Sequence, residues 1–394
     1  MDVNVMGDRV LMVAPTMFSA DYGGATRIIE HVKAFRRIGY SVKLHTYAMQ
    51  GSLDKDLSIC VDELPFVPRF HQGVLFDRGY LDFAMGLKLL LSGGVKPSFV
   101  LAYNQEASVI SKFFNLYGVP VVVDVQGILR EEMAPFRFSF FEKLAFLAER
   151  KVFEFPSLVL ASSPFIARVL NREFGVDSGR LKVLLDSVDT ELFKPRSKDD
   201  PRVRGLRSAL GIGDGVRVVV YVGSFSSLQG TDVLLHAVRY VLEREKDVVF
   251  VLAGGRWSDS YLSCIRLAND LGVSSRVKFL PGVDYVNDLP YLLNLADVGV
   301  APKLFSLQSH GKLAVWMASG LPAVVWDNPI NRLFLGSLGV YAKDFGAEAF
   351  GEAIISALGM NGYFSLKLRE RAVRHFSLNR LMDDMRCICR MVAV

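Results

Sequence analysis

The sequence predicts an α/β protein built from two doubly wound parallel-sheet domains that face a cleft. Three observations predict it. Apolar, β-branched runs of strand length alternate with segments of helical spacing, the pattern of βαβ units whose sheet is covered on both faces. The alternation stops at a polar, charged stretch with prolines and then starts again. The chain has 394 residues, more than one core usually serves, so two Rossmann-like domains of roughly 190 residues each fit it.

The first half opens with the strand-like run "RVLMVAP" (Arg9–Pro15). A helical segment follows with Ile28, Ile29, Val32 and Phe35 on one face; Gly39 ends it, and "SVKLHTY" reads as the next strand. Further strands are expected at Ser98–Asn104, Pro120–Gly127, Ser157–Ser163 and Leu181–Ser187. "TELFKPRSKDDPRVRG" (Thr190–Gly205) has the composition of a linker. Beyond it "VRVVVYVGS", "VVFVLAGG", "VKFLPGV", "DVGVAP" and "PAVVW" mark a second sheet. The expected organisation is a first domain over residues 1–190, a linker at 191–205, a second domain over 206–375, and a terminal helix at 376–394 that returns to the first. Ligands of such sheets sit beyond the carboxyl ends of the strands.

Composition narrows the partners. With 51% hydrophobic and 22% charged residues the chain is an ordinary globular one. The net charge of +5 suits a phosphate-bearing ligand or an anionic surface and is too small to argue for nucleic acid. Cys60, Cys264, Cys387 and Cys389 are scattered without a C-x-x-C, as free thiols of a reducing compartment would be. "MDVNVMGDRV" lacks the long apolar segment of a leader, and no run reaches the roughly 18 apolar residues of a spanning helix. The expectation is a cytoplasmic protein, at most touching the inner face of a membrane. No feature fixes an oligomeric state.

Six stretches carry candidate chemistry. In "DYGGATR", Gly23 and Gly24 precede a helix and would bring amides close to an anion; an ordinary βα turn explains them equally well. "YVGSFSSLQGTDVLLHA" places Gly223, Ser224 and Gln229 ahead of another helix that Thr231 or Asp232 would cap, with the same two readings. "VLAGGRW" ends a strand in Gly254 and Gly255, and Arg256 is a phosphate ligand or a solvated loop residue. In "SHGKLAVWMASGLPAVV" (Ser309–Val325), Lys312 stands in the first helical turn, against the helix dipole, which a bound anion would resolve. Gly320 is the expected helix stop. "VDVQGILREEM" brings Gln126 and Gly127 to a strand end, while the adjacent Glu131 and Glu132 face different sides of a helix and are no glycosidase pair. The phenylalanine-rich basic segment Phe136–Phe155 suits an anionic membrane or, more simply, a core-facing helix. No H-E-x-x-H or C-x-x-C occurs, so no metal or other cofactor is expected, and no G-x-S-x-G marks a hydrolase elbow.

Taken in order, "GGATRIIEHVKAFRRIGYSVKLHT", "VVVDVQG", "VLASSPFIARVL", "LDSVDTELFKP", "YVGSFSSLQGTDVLLHAV", "VFVLAGG", "VKFLPGV", "ADVGVAPK", "KLAVWMASGLPAVV" and "AVRHFSLNRL" resemble the retaining, GT-B-fold glycosyltransferases of family 4 over nearly the whole chain. The resemblance implies sugar transfer from a nucleotide-sugar donor to a glycan, lipid-linked or small-molecule acceptor, with anomeric configuration retained and no metal. The second domain would hold the donor through Ser224, Gln229, Gly254, Arg256, Val283, Asp284, His310, Gly311, Leu313 and Val315, with the Gly23–Gly24 amides on the diphosphate. Lys312 would be the catalytic cation, and Gln126, where members often have histidine, would position the sugar. Tyr22, Arg27 and Arg130 are expected on the acceptor side. The chain departs from the family at its paired glutamates, which align with Leu307 and Val315; where a subset reads K-L-x-E-Y-M-A, this chain reads "KLAVWMA". Valine accepts no ribose hydrogen bond, so the implied alternative is a catalytically silent relative that binds a ligand or a partner.

Overall fold

The computed structural model describes residues 8–19, 23–50, 59–65, 75–91, 96–128, 139–225, 227–254, 258–304, 307–360 and 362–393. The first sheet contains β1 (Arg9–Ser19), β2 (Ser41–Gln50), β3 (Cys60–Glu63), β4 (Phe99–Tyr103), β5 (Val121–Val125), β6 (Leu158–Ala161) and β7 (Leu181–Val183), in the order β3-β2-β1-β4-β5-β6-β7. The second contains β8 (Arg217–Val222), β9 (Val248–Ala253), β10 (Val277–Leu280), β11 (Val298–Ala301), β12 (Ala323–Trp326) and β13 (Val340–Ala342), in the order β10-β9-β8-β11-β12-β13. Every pairing is parallel. β4, β5 and β9 are buried at every position, as unbroken valine and leucine runs require of a sheet covered on both faces.

Each sheet reverses its winding once, between β1 and β4 and between β8 and β11. Crevices open at such switch points beyond the strand ends. The Gly223 loop leaves β8 there, and the segment ahead of the helix Gly311–Ala318 leaves β11 beside it. On the first domain Asn104 leaves β4 with φ of 65°, the one non-glycine residue with positive φ among those described. Its Oδ1 accepts from the Gln126 backbone N–H at 3.2 Å, so the strained turn orders the end of β5.

β3 and β13 are strands that the sequence pattern does not announce, β2 runs past its pattern to Gln50, and β1 and β7 differ in length for visible reasons. β1 runs on to Ser19 through a register shift between Ala14 and Met17. β7 stops at Val183, because the chain turns there toward the cleft and Arg27 Nη2 takes the Leu184 carbonyl at 2.8 Å. The polar stretch after residue 190 is a packed crossing. Arg369 donates to the carbonyls of Thr190 and Phe193, and Asp200 caps the helix Pro201–Ala209 by accepting from Arg202 N–H at 2.9 Å. One apolar cluster runs from Val10 and Phe99 through Phe193 to Tyr285, Leu292 and Leu313, joining the faces of both sheets. The chain crosses back at Ser377, which pairs with Val188, and the helix Leu378–Val392 packs on the helix Gly23–Arg37. In the helix Ser139–Val152 and the turn after it, Phe146 and Phe153 pack on Phe174, with ring centroids 5.0 and 5.3 Å away. Phe146 and Phe153 of the phenylalanine-rich segment therefore face the core.

Arg27 fixes the cleft wall of the first domain. Its Nε and Nη2 donate to the two oxygens of Asp124 at 2.7 Å each, and Nη1 donates to Asp186 at 2.8 Å. Burial opposes the guanidinium charge, but Asp124 and Asp186 outweigh it and raise the pKa. Removing one partner of such a pair strands the other in the interior. Arg27→Met is expected to cost about 3–5 kcal/mol of stability, read as a lower urea midpoint at unchanged slope.

Candidate active site

Lys312 lies in the first turn of the helix Gly311–Ala318. Its Nζ donates to Gln229 Oε1 at 3.4 Å and stands 4.9 Å from the centroid of the Tyr221 ring. Tyr221 is held by its own hydroxyl, which donates to the Ser224 carbonyl at 2.6 Å. Gly223 makes room for this contact, since a β-carbon there would stand 2.9 Å from Nζ. No carboxylate pairs with Lys312 among the described residues. Burial, reinforced by Lys303, lowers its pKa from 10.5 to about 7. An ammonium set against an aromatic face and an amide oxygen, and carried on the first turn of a helix, is suited to an anion.

The neighbouring glycines are steric requirements. A β-carbon on Gly254 would stand 2.1 Å from the Gly223 carbonyl oxygen, and one on Gly230 would stand 2.3 Å from that of Pro302. Both have positive φ, 126° and 68°. Gly230 itself is the N-cap of the helix Thr231–Arg244, with no side-chain bond, so neither Thr231 nor Asp232 caps it.

His310 precedes Lys312 and is 4% exposed. Asn331 donates its Nδ2 to the Trp326 carbonyl at 2.9 Å, which leaves its Oδ1 to accept from His310 Nδ1 at 2.8 Å. The proton therefore sits on Nδ1, and Nε2 is a buried acceptor without a partner among the described residues. Burial, then Lys303 and Lys312, hold the imidazole pKa well below its usual value, so the ring is neutral.

The other expected residues divide. Gly23 and Gly24 open the first helix, as their position beside β1 requires. Gln126 sits at the end of β5, its carbonyl accepting from Ser162 Oγ at 3.0 Å, so its backbone is fixed from both sides. Ser224 is exposed on the β8 loop. Asp284 is committed to its own turn, accepting from Val286 and Asn287 N–H at 2.9 and 2.7 Å, and Val283 packs on the shared core. Arg27 is 6% exposed and braces Asp124 and Asp186, so it is a positioning residue and not a direct ligand. Leu313 and Val315 are 0% and 7% exposed inside the core cluster, so their side chains are packing groups, not donor contacts. Tyr22, Arg130 and Arg256 lie outside the described residues.

Sequence reasoning missed what reaches this site from the first domain. Asp186 lies against the helix end: a β-carbon on Gly311 would stand 3.0 Å from its Oδ2. Its backbone N–H donates to Ser309 Oγ at 3.2 Å, and Ser163 Oγ donates to the Leu307 carbonyl. The Leu307 side chain packs on the first domain's cluster of Val123, Val125 and Ile128. Neither Ser163 nor Asp186 has a local periodicity to announce it, and only the position of Asp186 after a strand is a signal.

Two family models match the chain. The model for "Glycosyltransferase Family 4" matches residues 22–192, and that for "Glycosyl transferases group 1" matches residues 216–359. Together they cover both domains. The chain belongs to glycosyltransferase family 4. It is 31% identical over 201 residues to D-inositol 3-phosphate glycosyltransferase of Mycobacterium tuberculosis, a match over 50% of this chain and 38% of that protein; it thus spans under two fifths of the relative's length. The fold is GT-B. Anabaena Alr3699/HepE, solved with UDP and glucose, superposes with a TM-score of 0.76 at 18% identity, over 97% of this chain and 99% of that one. WaaG, a glycosyltransferase involved in lipopolysaccharide biosynthesis, gives 0.72 at 17% identity, over 96% and 99%. Among the described residues no cluster of three metal-ligating side chains occurs, and no helix is long and apolar enough to cross a membrane.

For this family 4 chain, Lys312 makes a sharp thermodynamic expectation. Its folded-state pKa lies below its unfolded one, so between about 7 and 10.5 the unfolded chain binds more protons and stability rises with pH. Lys312→Met is expected to unfold at higher urea than the parent below pH 7, with the gap narrowing as pH climbs toward 10. Urea titrations at three pH values read it directly.

Proposed function

We propose that the chain is a retaining glycosyltransferase that moves a sugar from a nucleotide-sugar donor, held on the second domain, to a glycan, lipid-linked or small-molecule acceptor. The observation that carries this reading is the Lys312 ammonium: enclosed at a switch-point crevice, aligned with a helix N-terminus and paired with no carboxylate among the described residues. Transfer requires stabilising charge that develops on the departing diphosphate. Lys312 and the amides at Gly311 supply that charge in a fixed position, and Gly223 and Gly254 let the backbone come close. A bound anion would raise the Lys312 pKa, so affinity for a diphosphate should fall as pH rises above about 7. Gln126, held at the facing strand end, would orient the sugar. In the retaining chemistry no protein base is needed in these roles, and Gln126 has none to offer.

The second reading is a catalytically silent relative, and the residues at 307 and 315 favour it. Leu307 and Val315 are both built into apolar contacts, so no side chain there can hold a ribose diol. Each charge-assisted bond lost would weaken donor binding by about 1–3 kcal/mol. A thermal-shift screen against UDP-, GDP- and ADP-sugars separates the readings, followed by product detection with any donor that shifts the melting point. The enzyme reading expects a shift with one donor, hydrolysis or transfer of its sugar, and a fall of at least about 100-fold in Lys312→Ala at retained fold. Binding without turnover under any acceptor would leave the silent relative; turnover unaffected in Lys312→Ala would remove Lys312 from the mechanism.

A further inference from the structure

We propose that the outer face of the helix Leu75–Leu91, with the turn Lys112–Tyr117 beside it, seats the first domain on an anionic bilayer surface. The helix carries its polarity the wrong way round for one that covers a sheet. From Gly79 to Leu91 every exposed residue is uncharged: besides Gly79 itself they are Tyr80, Phe83, Leu87, Leu90 and Leu91, at helical spacing and 47% to 74% exposed. The two charged residues of that stretch turn inward. Asp82 accepts from the hydroxyl of buried Tyr47, and Lys88 donates to the Glu63 carbonyl and pairs with Asp62. A half-buried helix ordinarily gives its charges to water and its apolar residues to the core. Here Leu81, Met85 and Leu89 fill the core, and a second apolar stripe faces out.

Single exposed leucines need no explanation, but a contiguous apolar patch does. The patch continues past this helix. The helix Asn104–Ser111 packs beside it, and Ala107 shares one core cluster with Leu81, Met85, Leu89, Val100 and Val121. Both helices thus cover the same face of the first sheet, and their outer sides form one surface. Val109, Leu116 and Tyr117 extend it, all exposed. The cations there stand at its border. Lys112 lies between Val109 and Leu116 at helical spacing, and Lys96 Nζ reaches the Gly118 turn beside Tyr117. Both lysines are exposed, and among the described residues no carboxylate pairs with either. Glu106 is half-buried in the first turn of its helix, where it complements the dipole, at the end away from Leu116 and Tyr117. Apolar side chains bordered by ammonium groups match a bilayer twice over: the rings and leucines enter the acyl boundary while the lysines meet lipid phosphates. The same cations disfavour a second copy of the chain on this face, since a two-fold contact would bring lysines toward lysines. None of this depends on the donor site.

The test is co-sedimentation of the full chain with vesicles of phosphatidylcholine alone and of phosphatidylcholine with phosphatidylglycerol in equal parts. The expected result is binding to the mixed vesicles that falls as salt rises. Leu90→Ser/Leu91→Ser is expected to bind them at least about tenfold more weakly, and Lys96→Gln/Lys112→Gln about 20-fold more weakly, each with the parent's circular dichroism. A parent that does not sediment with the mixed vesicles overturns the proposal, and so does parent-like binding by either variant. If the leucine variant fails to fold, the lysine variant, altered only in exposed side chains, decides alone. Light scattering without vesicles covers the other occupant: a parent dimer that Leu90→Ser/Leu91→Ser dissociates assigns the face to a second copy and overturns the bilayer reading.

Discussion

Arg27 is the constraint from which the cleft is assembled. A single buried guanidinium joins the first helix to Asp124 on β5, to the Leu184 carbonyl and to Asp186 beyond β7. Planar and multiply donating, it fixes distances among three segments that the sheet ladder alone would leave free to slide. The position of Asp186 follows from it, and through Asp186 the position of Ser309 and Gly311 on the opposite domain. A residue that the sequence offers as an acceptor contact turns out to shape the site from behind.

The second domain solves a different problem, that of holding a cation that no carboxylate pairs among the described residues. The Tyr221 ring and the Gln229 amide oxygen face Lys312, and both are neutral. Glycine at 223, 230 and 254 is what allows the backbone to crowd so closely around the crevice. His310 adds a neutral ring locked by Asn331 into one tautomer. The local structure is costly for the folded chain and makes sense as preorganisation for something negatively charged.

Much of the fold is legible in the sequence because its period is strong. "VVVDV" and "VVFVLA" are buried at every residue, and such runs have few alternatives to a covered parallel strand. Lys312 is legible too, since a cation in a first helical turn opposes the dipole and asks for a reason. Asp124, Asp186 and Leu307 are not. Each acts across about a hundred residues of sequence or more, as the Arg27–Asp124 and Ser163–Leu307 separations of 97 and 144 show, and no local pattern encodes a partner so distant. Leu313 and Val315 mislead in the opposite direction. They align with a donor motif, yet a helix that carries a site on one end still needs an apolar flank to pack, and these residues are that flank.

The chain passes between the domains twice, and the two passages lie side by side. Val188 N–H donates to the Phe376 carbonyl at 2.8 Å, and Leu378 N–H donates to the Val188 carbonyl at 3.0 Å. Arg369 ties the first passage to the Ala318 carbonyl at the far end of the site helix. Two adjacent tethers, with Arg369 bonded beside them, therefore seat the C-terminal end of the helix bearing Lys312 where the two lobes join.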